Sequence, residues 1–436
     1  MAGLAAVTAV VVPSPVAADG AFPDSMSIFL PPGRPDQILV GTTFGIVRTD
    51  DGGAHWHLIC EEAITSVGEI VSQYQMGPPP ASTLYAVASN EVLTSADSGC
   101  SWTTAVGQWS RPFITDAFPD PRDAARLFAL ALVTIDGDLL SALFESRDGG
   151  KSFGAPLYHA KPGVLLTGVE SPAAASGAIF VTEYGRTDAG LESLLARSRD
   201  DGRSFDEVSL LATFGKAEPR LAAIDPVDAQ TIYYRAVDGG FDKLAISRDG
   251  GQTAAIALAV EDEMSGFLRR ADGTLLVAAR TGPGWRSSDG GRSFAPWPEG
   301  LRLRGMRERG GVLYAVGDDS PGGFGVGSSA DGGKSWTALL HFADICGVLA
   351  CSPRVSEACR IPWQRLIDQV GVQAACAVAS PGADAGADAA VTTTTTPPPP
   401  AGGGGCALAP GRAVVVAVGP LVLIAALALA AIRRRR

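Results

Sequence analysis

The chain has 436 residues, of which 46% are hydrophobic, and its 46 acidic against 35 basic residues give a formal net charge of −11. An acidic chain without a stripe of basic residues and interleaved aromatic rings is a poor partner for nucleic acid or for anionic lipid surfaces, so both classes of function are excluded. The length and the apolar content are sufficient for a sizeable buried core.

The chain begins with a leader of the secretory type. An uncharged apolar stretch over residues 4–12 is followed by Val16, Ala17 and Ala18, the small-residue pattern of a cleavage site. This pattern predicts a signal peptide over residues 1–18, although the basic segment that usually precedes the apolar stretch is missing. The alternative is an apolar leader on a cytosolic protein.

An eight-residue phrase recurs seven times in the central part of the chain, with the pattern Ser/Thr-x-Asp-x-Gly-x-x-aromatic. Only the fifth copy departs from it, because Ala254 replaces the terminal ring. The copies are spaced by 40 to 52 residues, the length of a four-stranded blade of a β-propeller. The aspartates of the seven copies are Asp51, Asp97, Asp148, Asp200, Asp249, Asp289 and Asp331.

Each repeat also offers about four short apolar runs bounded by turn residues, which is typical of buried strands. One run precedes the phrase, as at residues 84–87, another lies further upstream, as at 220–224, and the last follows the phrase, as at 336–340. The phrase therefore joins the third strand of a repeat to the fourth. This organisation predicts an all-β fold, a seven-bladed β-propeller over residues 22–343. The first repeat has its own first strand near residues 25–30, so the ring does not need an interdigitated closure.

The residue types of the phrase suit a hairpin turn. Glycine at the fifth position can take a positive φ, the aspartate can accept hydrogen bonds from the amides of the turn, and the final ring can cover the edge of the hairpin. The phrase resembles the Asp-box, or bacterial neuraminidase repeat, of sialidases, xyloglucanase-type glycosidases, sortilin-like receptors and photosystem assembly propellers. The resemblance implies structural aspartates on the outer rim and leaves the function open, because these families share the turn but not the chemistry. A single aspartate per copy also offers too few oxygens for calcium.

Six cysteines precede the C-terminal segment, an even number that is consistent with disulfides in an exported protein. Cys60 and Cys100 lie in the first two repeats, which predicts a bridge between neighbouring blades. The other four predict a small helical module over residues 344–378 with two internal disulfides and three possible connectivities; they are Cys346, Cys351, Cys359 and Cys376. One apolar helix face supports this module; it contains Trp363, Leu366, Ile367 and Val370. A zinc site is the competing interpretation, but the spacing contains no Cys-x-x-Cys pair.

The C-terminal part has three successive features. Residues 379–405 are low in complexity and rich in Ala, Thr, Pro and Gly, which predicts a disordered stalk. Cys406 follows, and residues 413–432 are uncharged and long enough for a transmembrane helix, with four arginines after it on the cytoplasmic side. Residues 406–436 resemble the myxobacterial sorting signal called MYXO-CTERM, which implies a sorting protease and Cys406 as a recognition and lipid-attachment residue. The alternative is an ordinary single-span anchor.

A glycoside hydrolase is the main alternative to a binding protein, because Asp-box propellers include such enzymes. Sialidase-like chemistry needs three arginines around a carboxylate, a Tyr/Glu pair and an acidic residue, and the early Phe-Arg-Ile-Pro motif of that family is absent from the first repeat. A similar string, Arg360-Ile361-Pro362, occurs only near the wrong end of the chain, and Tyr233 and Tyr234 lie in an apolar strand.

Xyloglucanase-like chemistry needs two carboxylates that face each other across the central groove. Most of the acidic candidates lie beside a proline or one residue from it, where turn formation explains them; they are Asp36, Asp116, Asp120, Asp225 and Asp228. The histidines form no set of metal ligands or catalytic partners in the sequence; they are His55, His57, His159 and His341.

These observations predict a cell-surface-anchored, non-catalytic propeller that binds a protein, peptide or glycan around its axial funnel. A secreted hydrolase of the sialidase or xyloglucanase type and a structural envelope protein are the alternatives. The predicted partners are the membrane, the sorting protease and the extracellular ligand, and no cofactor, metal ion or nucleic acid is expected. A hydrolase would place two carboxylates about 5–10 Å apart in the funnel, whereas a binding protein would have an apolar or mixed funnel.

Overall fold

The computed structural model describes residues 24–65, 70–109, 112–297 and 301–371. Seven sheets of four antiparallel strands follow one another in chain order, so the predicted all-β, seven-bladed propeller is confirmed. Within the described part, no helix combines the length and the apolar character needed to cross a bilayer. The predicted features outside the described residues are the leader 1–18, Cys376, the stalk 379–405, Cys406 and the span 413–432.

The strands of each blade are numbered along the chain, from the axis outward. Blade 1 contains β1 (Ser25–Phe29), β2 (Ile38–Thr42), β3 (Gly45–Thr49) and β4 (Trp56–Cys60), and blade 2 contains β5 (Val71–Met76), β6 (Leu84–Ala88), β7 (Val92–Ser95) and β8 (Thr103–Thr104). Blade 3 contains β10 (Phe113–Pro119), β11 (Leu127–Ile135), β12 (Asp138–Ser146) and β14 (Tyr158–His159). Between blades 2 and 3, β9 (Val106–Gly107) pairs in parallel with β13 (Ser152–Phe153).

The remaining four blades have the same layout. Blade 4 contains β15 (Val164–Glu170), β16 (Ile179–Thr187), β17 (Gly190–Ser198) and β18 (Asp206–Ser209), and blade 5 contains β19 (Glu218–Ile224), β20 (Ile232–Val237), β21 (Lys243–Ser247) and β22 (Ala255–Ala259). Blade 6 contains β23 (Met264–Arg269), β24 (Leu275–Ala279), β25 (Trp285–Ser287) and β26 (Ala295–Pro296). Blade 7 contains β27 (Leu303–Arg309), β28 (Val312–Gly317), β29 (Val326–Ser329) and β30 (Thr337–Leu340).

The hydrophobic core lies between the blades rather than within any one of them. Tyr85 of blade 2 packs in one buried cluster with Leu127 and Ala129 of blade 3, and Leu195 of blade 4 packs in another with Tyr234 of blade 5. Each sheet therefore buries both faces against its neighbours, which explains the nearly continuous apolar runs of the second and third strands. This arrangement fixes the position of every blade relative to the next.

The octapeptide phrase forms the turn between the third and fourth strands in every blade. Its first Ser or Thr donates a hydrogen bond to the aspartate over 2.7–2.9 Å. The same hydroxyl accepts from the amide of the fifth residue, a glycine, over 2.8–3.0 Å. This glycine has a φ between +82° and +104° in all copies, a conformation that L side chains rarely adopt. The residue types of the phrase are thus set by local backbone geometry.

The ring closes between blade 7 and blade 1 without an exchange of strands. The Ser25 hydroxyl donates to the carbonyl of Gly325 over 3.2 Å, and Arg304 forms an ion pair with Asp24 at 2.9 Å. All four regular strands of blade 1 come from the first repeat, as the sequence allowed. Non-covalent contacts between the first and last repeats therefore join the two ends of the propeller.

The chain that follows blade 7 adds a further layer to blade 1. Strand β31 (Ile345–Val348) pairs in parallel with the outermost strand β4 and makes blade 1 five-stranded. Two helices follow, α3 (Pro353–Ala358) and α4 (Arg360–Val370), whereas α1 (Glu61–Ile64) and α2 (Leu211–Phe214) are single turns between blades. Leu366 of α4 is buried in the cluster that contains blade 1. The described C-terminal residues thus pack directly on the propeller.

The predicted pairing of the cysteines is wrong. Cys60 does not bridge to Cys100; it pairs with Cys359, and Cys100 pairs with Cys351, with Cα–Cα distances of 5.3 and 5.6 Å. The physical reason is that the chain after blade 7 folds back on blades 1 and 2, where Arg354 donates to the carbonyl of Ala63 over 3.1 Å. Two of the four cysteines assigned to an internal pairing of the module are therefore used to attach it to the ring.

Candidate functional site

The innermost strands of the seven blades line the axial channel, and each carries a β-bulge at the same place. In every blade the pairing of the first strand with the second skips one residue; the skipped residues are Met26, Ser72, Thr115, Thr167, Ala222, Ser265 and Arg304. A bulge bends the strand and increases its twist, and bulges commonly redirect side chains near functional sites. Seven equivalent bulges therefore give the channel wall one repeated backbone geometry.

We call the residues three positions after each bulge residue the channel rung. Six of them pair with residues of the second strands at the same level of their blades, and the seventh, Asp225, directly follows the last paired residue of β19. The seven residues differ in chemistry. The channel rung consists of Phe29, Gln75, Phe118, Glu170, Asp225, Leu268 and Arg307. It includes rings, an amide, two carboxylic acids, an aliphatic side chain and a guanidinium on one common backbone frame.

A cavity of about 170 Å³ opens at the rung where blades 7, 1 and 2 meet. It is lined by three rung residues and by their neighbours along the first strands; the lining residues are Phe29, Leu30, Gln75, Met76, Gly77, Arg307 and Glu308. All of them lie at the ends of first strands, on the side of the ring that carries the octapeptide turns. In blade 1 the turn between β1 and β2 contacts the octapeptide turn directly, since the Gly52 amide donates to the carbonyl of Asp36.

Of the predicted acidic candidates, only Asp116 lies on a channel strand. Its carboxylate accepts hydrogen bonds from the Gln73 amide group at 2.9 Å and from the backbone N–H of Val169 at 3.3 Å, so it ties blade 2 to blade 4. Burial raises the pKa of Asp116 to about 6, against the effect of these hydrogen bonds.

Glu170, on the neighbouring strand β15, is the channel acid that sequence reasoning missed. Burial raises the pKa of Glu170 to about 8, the backbone N–H of Ile224 opposes that rise, and the charge of Asp116 adds to it. Asp116 and Glu170 are thus close enough for their charges to interact. The signal that could have found Glu170 is its position in the repeat, because it stands level with Arg307 when the first strands are aligned on their bulges.

The other four acidic candidates lie in the turns between first and second strands and are used for structure. Asp120 contacts Arg122 at 3.2 Å and Arg126 at 3.4 Å, and it is fully buried. Asp225 accepts from Arg269 at 2.9 Å. The Asp228 carboxylate accepts from Thr231 within its own turn, and the backbone carbonyl of Asp36 accepts from Gly52 of the octapeptide turn. The structure does not bring these four acids together with Asp116.

The aspartates of the octapeptides are occupied by hydrogen bonds within their own turns. In the fourth copy, the hydroxyl and the amide of Ser204 donate to the Asp200 carboxylate at 2.6 and 2.9 Å. These bonds, with one from the Ser198 hydroxyl, hold the pKa of Asp200 at about 2. The carboxylate is therefore ionised at neutral pH and serves as an acceptor for the hairpin, remote from the first strands.

The histidines and the other aromatic candidates also lie away from the channel rung. His55 contacts Asp51 of its own octapeptide at 2.6 Å, and His341 contacts Asp319 at 2.6 Å. His159 faces the carbonyl of Ala160. Burial, with the charge of His55, lowers the pKa of His57. Over the described ranges, no group of three or more His, Cys, Asp or Glu side chains is arranged to hold a metal ion.

Tyr233 and Tyr234 are buried in blade 5, where the Tyr233 hydroxyl donates to Asp225 at 3.2 Å. Arg360, the first residue of α4, lies in the C-terminal segment and not on a channel strand. The structure thus places none of these three residues on the channel wall.

A second group of acids that sequence reasoning missed lies between blades 3 and 4, outside the channel. The Tyr158 hydroxyl contacts Glu183 at 2.5 Å and Glu207 at 3.0 Å, and Lys161 lies 3.8 Å from Glu207. Burial raises the pKa of Glu183 to about 7, although the bond from Tyr158 opposes this. Because these residues come from different blades, only the folded ring reveals the group.

No protein-family model and no curated protein matches the chain. Similar solved structures include a puromycin-hydrolysing peptidase from Mycobacterium tuberculosis, with a TM-score of 0.51 and 13% identity, covering 74% of this chain and 54% of that chain. YCF48 from Cyanidioschyzon merolae gives a TM-score of 0.42 and 15% identity, covering 71% and 95%. An ancestral GH74 enzyme gives 0.44 and 14%, covering 72% of this chain and 48% of the enzyme. Identities this low establish the propeller fold alone.

Proposed function

We propose that the protein is a cell-surface-anchored, non-catalytic propeller that binds a protein, peptide or glycan ligand at its axial channel. The observation that carries the proposal is the channel rung, because equivalent backbone positions on the innermost strands carry side chains of mixed chemistry and three of these side chains line a cavity. A rigid frame with a few polar groups among apolar ones is typical of a ligand-binding site. The carboxylates of Asp120, Asp225 and Asp228, in the turns between first and second strands, are engaged by neighbouring side chains.

The proposed location outside the cell is supported by the covalent structure of the described chain. The disulfides Cys60–Cys359 and Cys100–Cys351 require an oxidising compartment to form and persist. The sequence patterns of the leader and of residues 406–436 favour export and anchoring by a C-terminal membrane helix. We further propose that the octapeptide turns belong to the Asp-box class, which the bonding of their aspartates supports.

A glycoside hydrolase is the second candidate, and one observation favours it. Asp116 and Glu170 lie on neighbouring channel strands, and the pKa of each is raised by burial, to about 6 and about 8. Such values suit a general acid at neutral pH. A hydrolase also needs an ionised carboxylate that can reach the sugar, however, and the Asp116 carboxylate is engaged by Gln73 and Val169.

The test uses the full chain in lipid nanodiscs, applied to arrays of peptides and oligosaccharides and then incubated with xyloglucan oligosaccharides and sialyllactose. We expect retention of a subset of ligands and no cleavage products. Sugar release that is lost in the Glu170→Gln variant would establish the hydrolase instead. Retention of no ligand at all would contradict the binding function and favour a structural envelope protein.

A further inference from the structure

Arg307 is the cationic member of the channel rung, and its charge is not balanced by a neighbouring acid. Its Nη1 donates to the carbonyl of the adjacent Met306 over 3.0 Å, and the side chain forms no salt bridge with any other described residue. The side chain is exposed to solvent, so its remaining N–H groups are available to a ligand.

The neighbouring charges on the same strand are all engaged, which leaves Arg307 as the exception. Glu308, the acid in the cavity wall, accepts from Arg270 at 2.7 Å and from the backbone N–H of Ala271 at 3.1 Å. Arg304 pairs with Asp24, and Arg309 stacks over Tyr314 and donates to a carbonyl of blade 1. The cavity therefore carries a surplus positive charge at one point of its wall.

The rest of the cavity defines what could accompany an anion. Phe29, Leu30 and Met76 supply an apolar wall, and Gln75 supplies an amide. The volume of about 170 Å³ leaves room for roughly six water molecules. The guanidinium is planar and its fork of N–H groups matches a carboxylate in two parallel hydrogen bonds. Flexible Met and Leu side chains suit an amino-acid side chain better than the flat face of a sugar.

We propose that this cavity binds a carboxylate group of a polypeptide ligand, with Arg307 as the counter-charge and Phe29, Leu30 and Met76 around an adjoining apolar side chain. The inference rests on the proposed binding function and names the chemistry of the ligand. The carboxylate can come from an acidic side chain or from a chain terminus. Both sources present the same two oxygens to the guanidinium.

Surface plasmon resonance on the full chain in nanodiscs tests this with four probes. Three are acetylated tripeptides: Leu-Leu-Glu with an amidated terminus, Leu-Leu-Gln with a free terminus, and Leu-Leu-Gln with an amidated terminus as the neutral match. The fourth is trigalacturonate. We expect one charged tripeptide to bind at least about tenfold more tightly than the neutral one, which corresponds to about 1.4 kcal/mol. The stronger of the two charged tripeptides identifies the source of the carboxylate.

Arg307→Gln should remove the preference for the charged tripeptide, and Arg307→Lys should keep only part of it, because lysine retains the charge but loses the fork. Arg292→Gln, in an exposed octapeptide, is the matched control and should bind as the unaltered chain does. Thermal unfolding of each variant shows that the ring is intact, and the lysine variant serves if the glutamine variant is unfolded.

Equal binding of the charged and neutral tripeptides, or an unchanged preference in both Arg307 variants, would overturn the inference. Binding of trigalacturonate alone would overturn the assignment to a polypeptide. These failures differ from failure of the proposed function, since peptides retained on the array by a site other than Arg307 would leave the binding function standing.

Discussion

The seven outer hairpins and the seven innermost strands repeat in opposite ways. In the hairpins, sequence and geometry repeat together, because each copy has the same hydroxyl, aspartate and positive-φ glycine in the same hydrogen-bond pattern. In the innermost strands, only the backbone repeats. Each has a bulge at the same place, but the rung residues after it differ in chemistry from blade to blade, as Phe29, Glu170 and Arg307 illustrate.

This difference separates the residues that determine the propeller fold from those that distinguish this propeller from other propellers. The polar groups of the hairpin residues form hydrogen bonds with one another, so few of them are available to a ligand. The rung residues, by contrast, are held by a backbone geometry that does not depend on their side chains. Substitutions at the hairpins should therefore act on stability, and substitutions at the rung should act on binding and on titration. Variants on the two sides of this division should therefore differ in the size and the kind of their effects.

The largest effect should come from the covalent attachment at the outer edge of blade 1. Cys359→Ser removes a bond that closes a loop of 299 residues, and we expect the unfolding free energy to fall by about 2–5 kcal/mol. Denaturant unfolding of the full chain measures it, with reductant added to the unaltered chain as the comparison. A loss below 1 kcal/mol would show that the ring holds its C-terminal layer without the bond.

The fifth glycine of an octapeptide should be the next most sensitive position. A Cβ at Gly251 would meet the buried Leu195 and the Tyr234 hydroxyl, at a φ of +82° that already strains any L side chain. We expect Gly251→Ala to cost about 2–4 kcal/mol, whereas Gly53→Ala, whose Cβ finds its nearest atom at 3.7 Å, should cost only about 1–2 kcal/mol. Equal melting temperatures for the two variants would contradict the packing part of this argument.

Two serines provide a matched pair across the division. The Ser247 hydroxyl, buried in the fifth octapeptide, bonds to Asp249 and to the Gly251 amide, so Ser247→Ala should cost about 1–2 kcal/mol. The bulge residue Ser72 makes a single bond to the carbonyl of Val87 and is exposed to the channel, so Ser72→Ala should cost less than about 0.5 kcal/mol. The difference in urea midpoint between the variants checks this order.

The smallest effects should appear as opposite dependences on pH. The pKa of Glu170 is raised from 4.5 to about 8, so the folded chain binds the extra proton and the unfolding free energy falls as the pH rises between these values. The pKa of Asp200 is lowered from 3.8 to about 2, so its contribution to stability is lost as the pH falls through that window.

Glu170→Gln should therefore flatten the alkaline side of the stability profile by on the order of 1 kcal/mol, allowing for water in the channel. Asp200→Asn should flatten the acidic side. Melting temperatures recorded from pH 3 to pH 9 compare the two variants with the unaltered chain. An alkaline side that stays as steep in Glu170→Gln would mean that other groups, such as Glu183, dominate it.

The hairpin side of this division could be predicted from the sequence and the channel side could not. A turn of eight residues needs particular residue types at particular positions, so its spacing alone was sufficient to predict the number of blades and the position of the turn within each. Glu170 could not be predicted as a channel residue, because Ser171 and Pro172 after it indicate a turn. Its level in the channel also depends on a β-bulge, and no particular residue type predicts that bulge. The pairing of Cys60 with Cys359 depends on closure of the whole ring.

The return of the chain onto blade 1 has a mechanical consequence. The chain leaves the ring through α4, which begins directly after Cys359, and Cys351 precedes it by a few residues. Tension applied beyond Gly371 would therefore be carried by two sulfur–sulfur bonds into two adjacent blades, and not by peeling β31 from β4 one hydrogen bond at a time. A propeller attached in this way can bear a pulling force at its C-terminal end without a change in the shape of its channel.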